Sequence, residues 1–483
     1  MSDSIKNKTI NGIAWNAIDR VATYGISFIV SIVLARLLTP EDYGLIGIIT
    51  IFIAIFNTIL DGGFSTSLIR KVNASEKDYN TVFYTNLAIS IVLAFLLYIS
   101  SNSIAGFFNR KELFPLIKVM SVILIINAIS ITQQVQLTKK LDFKKQTIIS
   151  LISNTVSGAI GIILAYKGYG VWALVFQQII SRFLNSILLF AINRWFPKLC
   201  FSRESFFELW SFGWKVLVSR VITSVWGNIY QAVIGKVYSP TILGLYTRAA
   251  QYGQMFSSGV SDVVLKVSLP VMSSVQDNRG YLLQVTRRII KQTMFVTSLC
   301  MFGMIASAPT MIYVLIGEQW MDCVPFLQIL CINLLINPIC FINENLLTAI
   351  GRSDRLLILQ IIKLVLSIIP LVCGILINIW WMLIGNAITS WVIIFFYSYY
   401  TNKDINYNWI MQFKDLIPSV IISFAMGVPV YALNFLQISK YLIFPFQIVV
   451  GILSVILICK IFKVEEFDYV YNIISEKIKR KNE

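Results

Sequence analysis

Fourteen runs of mostly apolar residues, separated by short polar or charged breaks, limit what this chain can fold into. About 20 such residues make a helix that crosses a bilayer, and inside lipid only helices and closed barrels satisfy their own backbone hydrogen bonds. The runs cover approximately residues 12–36, 42–66, 79–104, 114–136, 147–166, 170–192, 213–237, 242–271, 289–316, 324–347, 356–377, 379–400, 416–436 and 440–462. They predict an all-α polytopic membrane protein with about fourteen transmembrane helices. Charged residues are only 13% of the chain and mean hydropathy is +0.74, well away from the roughly 25% charged content of soluble domains.

Histidine is absent, which excludes imidazole bases, Ser-His-Asp triads and the usual catalytic zinc sets. Nearly all of the seven cysteines, Cys200, Cys300, Cys323, Cys331, Cys340, Cys373 and Cys459, fall in or beside apolar runs. They form no CxxC pair and read as small hydrophobes. No cofactor is expected. No GxxxxGK[ST] loop occurs, so ATP hydrolysis is not expected either, and transport would draw on a coupling proton or sodium ion, on membrane potential or on the substrate's own gradient.

A net charge of +16 on a soluble protein suggests nucleic acid, but here the placement of the charge decides. With the N-terminus inside, the inner loops and tails hold 26 of the 40 basic residues, the outer loops hold 6, and 8 lie within the runs. Cytoplasmic loops collect Lys and Arg, so both termini are expected in the cytoplasm, with no nucleic-acid partner. The tail from Lys463 mixes Phe467, Tyr469, Ile473 and Ile474 with basic residues, which suits an amphipathic helix on anionic lipid or a solvated tail.

The first run is expected to be a structural helix rather than a cleaved leader, because the chain repeats it. At an offset of 200, Arg20/Arg220, Val21/Val221, Thr23/Thr223, Ile29/Ile229, Val33/Val233, Pro40/Pro240, Gly44/Gly244 and Leu45/Leu245 are identical. Leu137-Thr138 recurs as Leu347-Thr348, and Trp172, Leu174, Ile179 and Ser181 as Trp381, Leu383, Ile388 and Ser390. Six runs separate the copies, so they point the same way and the repeat is parallel. The expected organisation is a six-helix lobe (1–192), a cytoplasmic linker (193–212), a second six-helix lobe (213–400), two additional helices (401–462) and a basic tail (463–483).

Two parallel lobes enclose a central path, and charges inside a membrane need a polar cavity or a partner. Arg20 shares a helical face with Asn16, Thr23, Tyr24, Ser27 and Ser31; Arg220 heads a stripe of Thr223, Ser224, Asn228 and Gln231. Two planar guanidiniums at similar depth make an anion site suited to phosphate oxygens, and Arg248 is a third candidate. The competing reading pairs Arg20 with Asp19 and lets Arg248 snorkel. Asp19, Asp262 and Glu344 are the candidate ion-coupling acids, although Asp262 also fits an internal pair with Lys266, and Glu344 a cap for Arg352 and Arg355. Asp61, before Gly62-Gly63, reads as a helix-end feature.

At these same residues the chain resembles a known family. The run Leu34-Ala35-Arg36-Leu37-Leu38-Thr39-Pro40-Glu41-Asp42-Tyr43-Gly44, together with Gly244-Leu245-Tyr246-Thr247-Arg248-Ala249 and Gly168-Tyr169-Gly170-Val171-Trp172-Ala173-Leu174, is similar to the bacterial polysaccharide transporters. These are the Wzx-type O-antigen, capsule and teichuronic acid flippases of the multidrug/oligosaccharidyl-lipid/polysaccharide superfamily. The resemblance implies a MATE-like fold of two six-helix bundles around a cationic cavity, with two extra C-terminal helices. It implies a location in the bacterial cytoplasmic membrane and a substrate of undecaprenyl-pyrophosphate-linked oligosaccharide, with a polysaccharide polymerase and assembly proteins as candidate partners. Rival readings are a cation-coupled MATE-type drug exporter, which would want acidic rather than basic cavity residues, and a lipid II flippase. A polytopic glycosyltransferase or polymerase would usually offer a large outer catalytic loop; here the nearest thing is Glu318 with Asp322 in a short one.

Overall fold

The computed structural model describes residue 23, residues 25–462, and residues 464 and 467, except for the side chains of 258 and 260–267. Among these the chain is helical, with no strand. In chain order the helices are α1 (Gly25–Leu37), α2 (Pro40–Asp61), α3 (Phe64–Arg70), α4 (Glu76–Phe107), α5 (Leu113–Met120), α6 (Val122–Lys139), α7 (Phe143–Tyr166), α8 (Val171–Asn193) and α9 (Arg203–Val237). They continue as α10 (Pro240–Ser274), α11 (Arg279–Ile316), α12 (Cys323–Leu334), α13 (Asn337–Ala349), α14 (Ser353–Leu376), α15 (Ile379–Ile405), α16 (Trp409–Ala432) and α17 (Lys440–Phe462).

Eleven stretches of the described residues are long and apolar enough to span a membrane, counting α2–α3, α5–α6 and α12–α13 as one stretch each. The expected fourteen is not reached by that measure. The described part of α1 is short, and α9 and α10 are long but fall outside it. On α9 the reason is its polar stripe, where Arg220, Ser224, Asn228 and Gln231 replace the apolar residues of a lipid-facing helix.

The chain divides into two compact units with the boundary between Gly244 and Leu245. In the first, α9 packs on α2, α3 and α4, while α7 pairs with α8 and α4 with α6. Thr39 caps α2 in a capping box: its hydroxyl accepts from the Asp42 N–H at 3.3 Å, and the Asp42 carboxylate accepts from the Thr39 N–H at 2.9 Å. Pro40 occupies the first turn, where no N–H is needed. Ser239 and Pro240 repeat this at α10, with the Ile242 N–H on the Ser239 hydroxyl at 3.2 Å.

These two caps pack on each other reciprocally. A Cβ on Gly44 would lie 1.7 Å from the Pro240 carbonyl oxygen, and one on Gly244 would lie 1.8 Å from that of Pro40. Only glycine permits this backbone approach, which is why the Pro-x-x-x-Gly spacing occurs twice. The stretch 193–212 is bound to the same unit. Gln133 holds the Trp195 carbonyl, Asn80 accepts from the Lys198 N–H, Thr81 accepts from the Ser202 N–H, and Lys198 pairs with Glu76.

In the second unit α16 lies along α11, and α17 packs on both. Arg287 grips Asp415 with two hydrogen bonds of 2.7 and 2.8 Å, and the buried Asp415 also accepts from the Tyr407 hydroxyl at 2.9 Å. Burial and the Asp415 carboxylate push the Tyr407 hydroxyl well above its ordinary value, so it stays a donor. Ser423 bonds Ser298 at 2.8 Å, and Gln447 of α17 bonds the Val430 carbonyl and Thr310. The last two long helices are thus joined to α11 by polar pairs along its length.

Two outcomes are expected. Gly44→Val should cost about 2 kcal/mol or more through overpacking, read as a lower Tm of the purified protein; an unchanged Tm would contradict the backbone contact. Asp415→Ala strands Arg287 and removes the acceptor of Tyr407, and should cost on the order of 3 kcal/mol by the same measurement.

Candidate functional site

Helix α2 does not run on into α3. Gly62 and Gly63 sit at φ 53° and 72°, left-handed conformations that end one helix and let the next start at an angle. Against the break lies α9, held very close: a Cβ on Gly63 would be 2.2 Å from the Gly213 carbonyl oxygen. The Ser67 hydroxyl donates to the Leu209 carbonyl at 3.0 Å, and the Arg70 guanidinium stacks 4.4 Å over the Phe212 ring. Beside the same contact, Lys71 pairs with Glu208 at 2.8 Å and Asp78 at 3.1 Å. The hydrogen bond to Glu208 holds its ammonium above the ordinary value.

Leu209, Gly213 and Arg220 follow at intervals of four and seven residues, so they share a face of α9. That face brings Arg220 to the break. Its Nη1 donates to Asp61 Oδ2 at 2.6 Å and its Nη2 to Thr66 Oγ1 at 3.1 Å. Ser65 donates its hydroxyl to the other Asp61 oxygen. The arginine side chain remains half exposed (49%), whereas Asp61 is largely covered (19%). At 1.5 Å per residue, Arg220 lies about 26 Å along α9 from Val237, and Asp61 about 32 Å along α2 from Pro40. The pair therefore lies at the end of α2 opposite the Pro40/Pro240 caps.

The polar stripe of α9 continues from Arg220. Thr223 is exposed, Ser224, Asn228 and Gln231 are half-buried, and the Asn228 amide bonds the Ser224 carbonyl at 2.7 Å. On α1, Thr23 is half-buried, Ser27 exposed and Ser31 buried. Asn16, Asp19, Arg20 and Tyr24 lie outside the described residues.

The second unit has a different character. Arg248 of α10 is 8% exposed and donates to the side-chain Oε1 of Gln251 at 2.6 Å, so its guanidinium is enclosed where that of Arg220 is open. Glu344 of α13 accepts from the Tyr397 hydroxyl and from the Gln360 amide, the latter at 3.0 Å. It does not cap Arg352 and Arg355, both of which pair with Asp404. Asp262 belongs to α10, and its side chain is not among those described. Helices α11, α16 and α17, with Phe256, line an apolar cavity of about 990 Å³ whose walls include Leu299, Met304, Val430 and Ile452, with Ser307, Gln447 and Lys460 among its polar points.

Sequence reasoning singled out Arg220 without pairing it with Asp61. The available signal was Asp61 itself: an acid inside an apolar run costs as much to bury as an arginine does, and a pair resolves both. Gly63→Ala should place a side chain at positive φ against the Gly213 backbone and cost about 2 kcal/mol or more, displacing α9 at Arg220. Gly106→Ala, where nothing lies within 4 Å of the new methyl, is the control and should leave Tm nearly unchanged.

Three kinds of comparison bear on this arrangement. A family model described as "Polysaccharide biosynthesis protein" matches residues 33–325. Among curated relatives, the teichuronic acid biosynthesis protein TuaB of Bacillus subtilis is 26% identical over 73% of this chain and 73% of its own length. The succinoglycan biosynthesis transport protein ExoT of Rhizobium meliloti is 24% identical, over 81% of this chain and 82% of its own. Among solved structures, a lipid II flippase MurJ in an inward closed conformation superposes with TM-score 0.74 at 16% identity, over 94% of this chain and 98% of that one. An inward-facing MATE-family multidrug transporter of the MOP superfamily does so with TM-score 0.59 at 15% identity, over 80% and 98%. The fold is therefore of the MATE and MurJ type, as the resemblance implied.

Proposed function

The chain belongs to the polysaccharide biosynthesis protein family, and we propose that it is a flippase carrying an undecaprenyl-pyrophosphate-linked oligosaccharide across the cytoplasmic membrane for surface polysaccharide synthesis. The observation that carries this reading is Arg220. A half-exposed guanidinium on the long helix α9, beside a stripe of hydroxyl and amide side chains, suits a diphosphate bearing a sugar. One relative is itself named a transport protein of polysaccharide biosynthesis.

In this reading the substrate's diphosphate binds Arg220, with Arg20 as a further ligand, and the carrier alternates between the two faces of the membrane. Both termini are cytoplasmic, following the bias of basic residues. Asp19, Asp262 and Glu344 are the acids through which a proton or sodium ion would couple. The chain performs no bond chemistry of its own and hands the lipid-linked unit to a polymerase and assembly proteins.

The test is translocation of a short polyprenyl-diphosphate saccharide in proteoliposomes, scored by exposure to an impermeant lectin, with and without an imposed proton or sodium gradient. Protein-dependent flipping is expected, and Arg220→Ala should reduce it by about tenfold or more while leaving insertion and monodispersity intact. Absence of flipping, in vesicles that instead expel an organic cation, would replace this reading with a drug exporter.

A further inference from the structure

The guanidinium of Arg220 has a carboxylate of its own. Any carrier that works by alternating access makes two journeys, one loaded and one empty. On the loaded journey the two negative charges of a diphosphate cover the cationic side chain. On the empty journey they are gone, and the guanidinium is left without the anion that covered it while the helices around it change their packing.

We infer that Asp61 is the counter-anion of the empty carrier: it covers Arg220 for the return step and yields it to the diphosphate when substrate arrives. The inference rests on the flippase reading above. Its geometric basis is the 2.6 Å ion pair, the Thr66 contact at 3.1 Å on the other guanidinium nitrogen, and the Ser65 hydroxyl that holds the far oxygen of Asp61. The exposures of the two partners differ in the sense this requires, since Arg220 remains open to a ligand while Asp61 is recessed at the helix break. The break also explains how the carboxylate can let go. Asp61 is the last residue of α2, followed by two glycines in left-handed conformations, so a small change at the break moves it without disturbing the packed body of α2. A carboxylate fixed in mid-helix would have no such freedom.

A counter-anion leaves a signature that a merely structural salt bridge does not. Removing its charge removes the competitor for Arg220, so substrate binds at least as well, and exchange of bound substrate across the membrane, which never requires the empty return, survives. Net flipping requires that return and slows. The experiment uses the full chain in proteoliposomes with a fluorescent farnesyl-diphosphate glucoside, a diester whose charge is constant over the assay range. Net flipping is measured with no substrate on the far side, and exchange is measured against unlabelled probe there. For Asp61→Asn, which keeps the size, leaves one carbonyl oxygen to accept from Arg220 and turns an amide N–H toward the Ser65 oxygen, exchange should stay within about threefold of wild type while net flipping falls by about tenfold or more. Asp61→Glu should restore net flipping. Equal loss of both modes in a monodisperse Asp61→Asn protein would reduce Asp61 to a structural role, and full retention of both would overturn the inference equally. If the wild-type protein moves the probe in neither mode, the flippase reading itself falls and takes this inference with it.

Discussion

A charge held within a bilayer has to be covered, by water, by a partner or by a ligand, and this requirement orders much of the structure. Arg220 is covered by Asp61 and Thr66, Asp415 by Arg287 and Tyr407, and Glu344 by Tyr397 and Gln360. Each set joins residues far apart in the chain. These pairings favour particular helices as neighbours, because the recessed carboxylates of Asp61 and Asp415 would otherwise be covered charges without a counter-group.

Bringing those partners together requires backbones at unusually short range. The Gly63–Gly213 contact sets α9 against the break between α2 and α3, and Arg220 reaches Asp61 because it lies on the same face of α9. At the other end of α2, Gly44 and Gly244 make reciprocal contacts with Pro240 and Pro40. Van der Waals packing between membrane helices depends on such small residues, since lipid tails are as apolar as Leu and offer no hydrophobic drive for helices to associate. The two glycine contacts thus bracket α2, one at its capping box and one at its break.

Much of this was legible beforehand. The Thr39-Pro40-x-x-x-Gly44 run and its echo at Ser239-Pro240-x-x-x-Gly244 could be aligned by eye, and each is a helix start with its close contact. The polar stripe of α9 followed from spacing alone. The status of Asp61 did not, because a pairing between residues 159 positions apart leaves no local periodicity. Nor did the anchoring of 193–212, which as sequence is a short polar and aromatic break and in the structure is hydrogen-bonded to Gln133, Asn80 and Thr81.

The sequence by itself determined the class of molecule: apolar runs of bilayer length form helices that satisfy their own backbone hydrogen bonds. This is a consequence of solvent and periodicity, which act over one or two turns and can be read along a chain. Tertiary structure decided which charge meets which, that Arg220 stays open while Arg248 is enclosed, and that α2 breaks where α9 crosses it. Such choices depend on interhelical distances of a few ångströms, set by packing among segments that no local pattern connects.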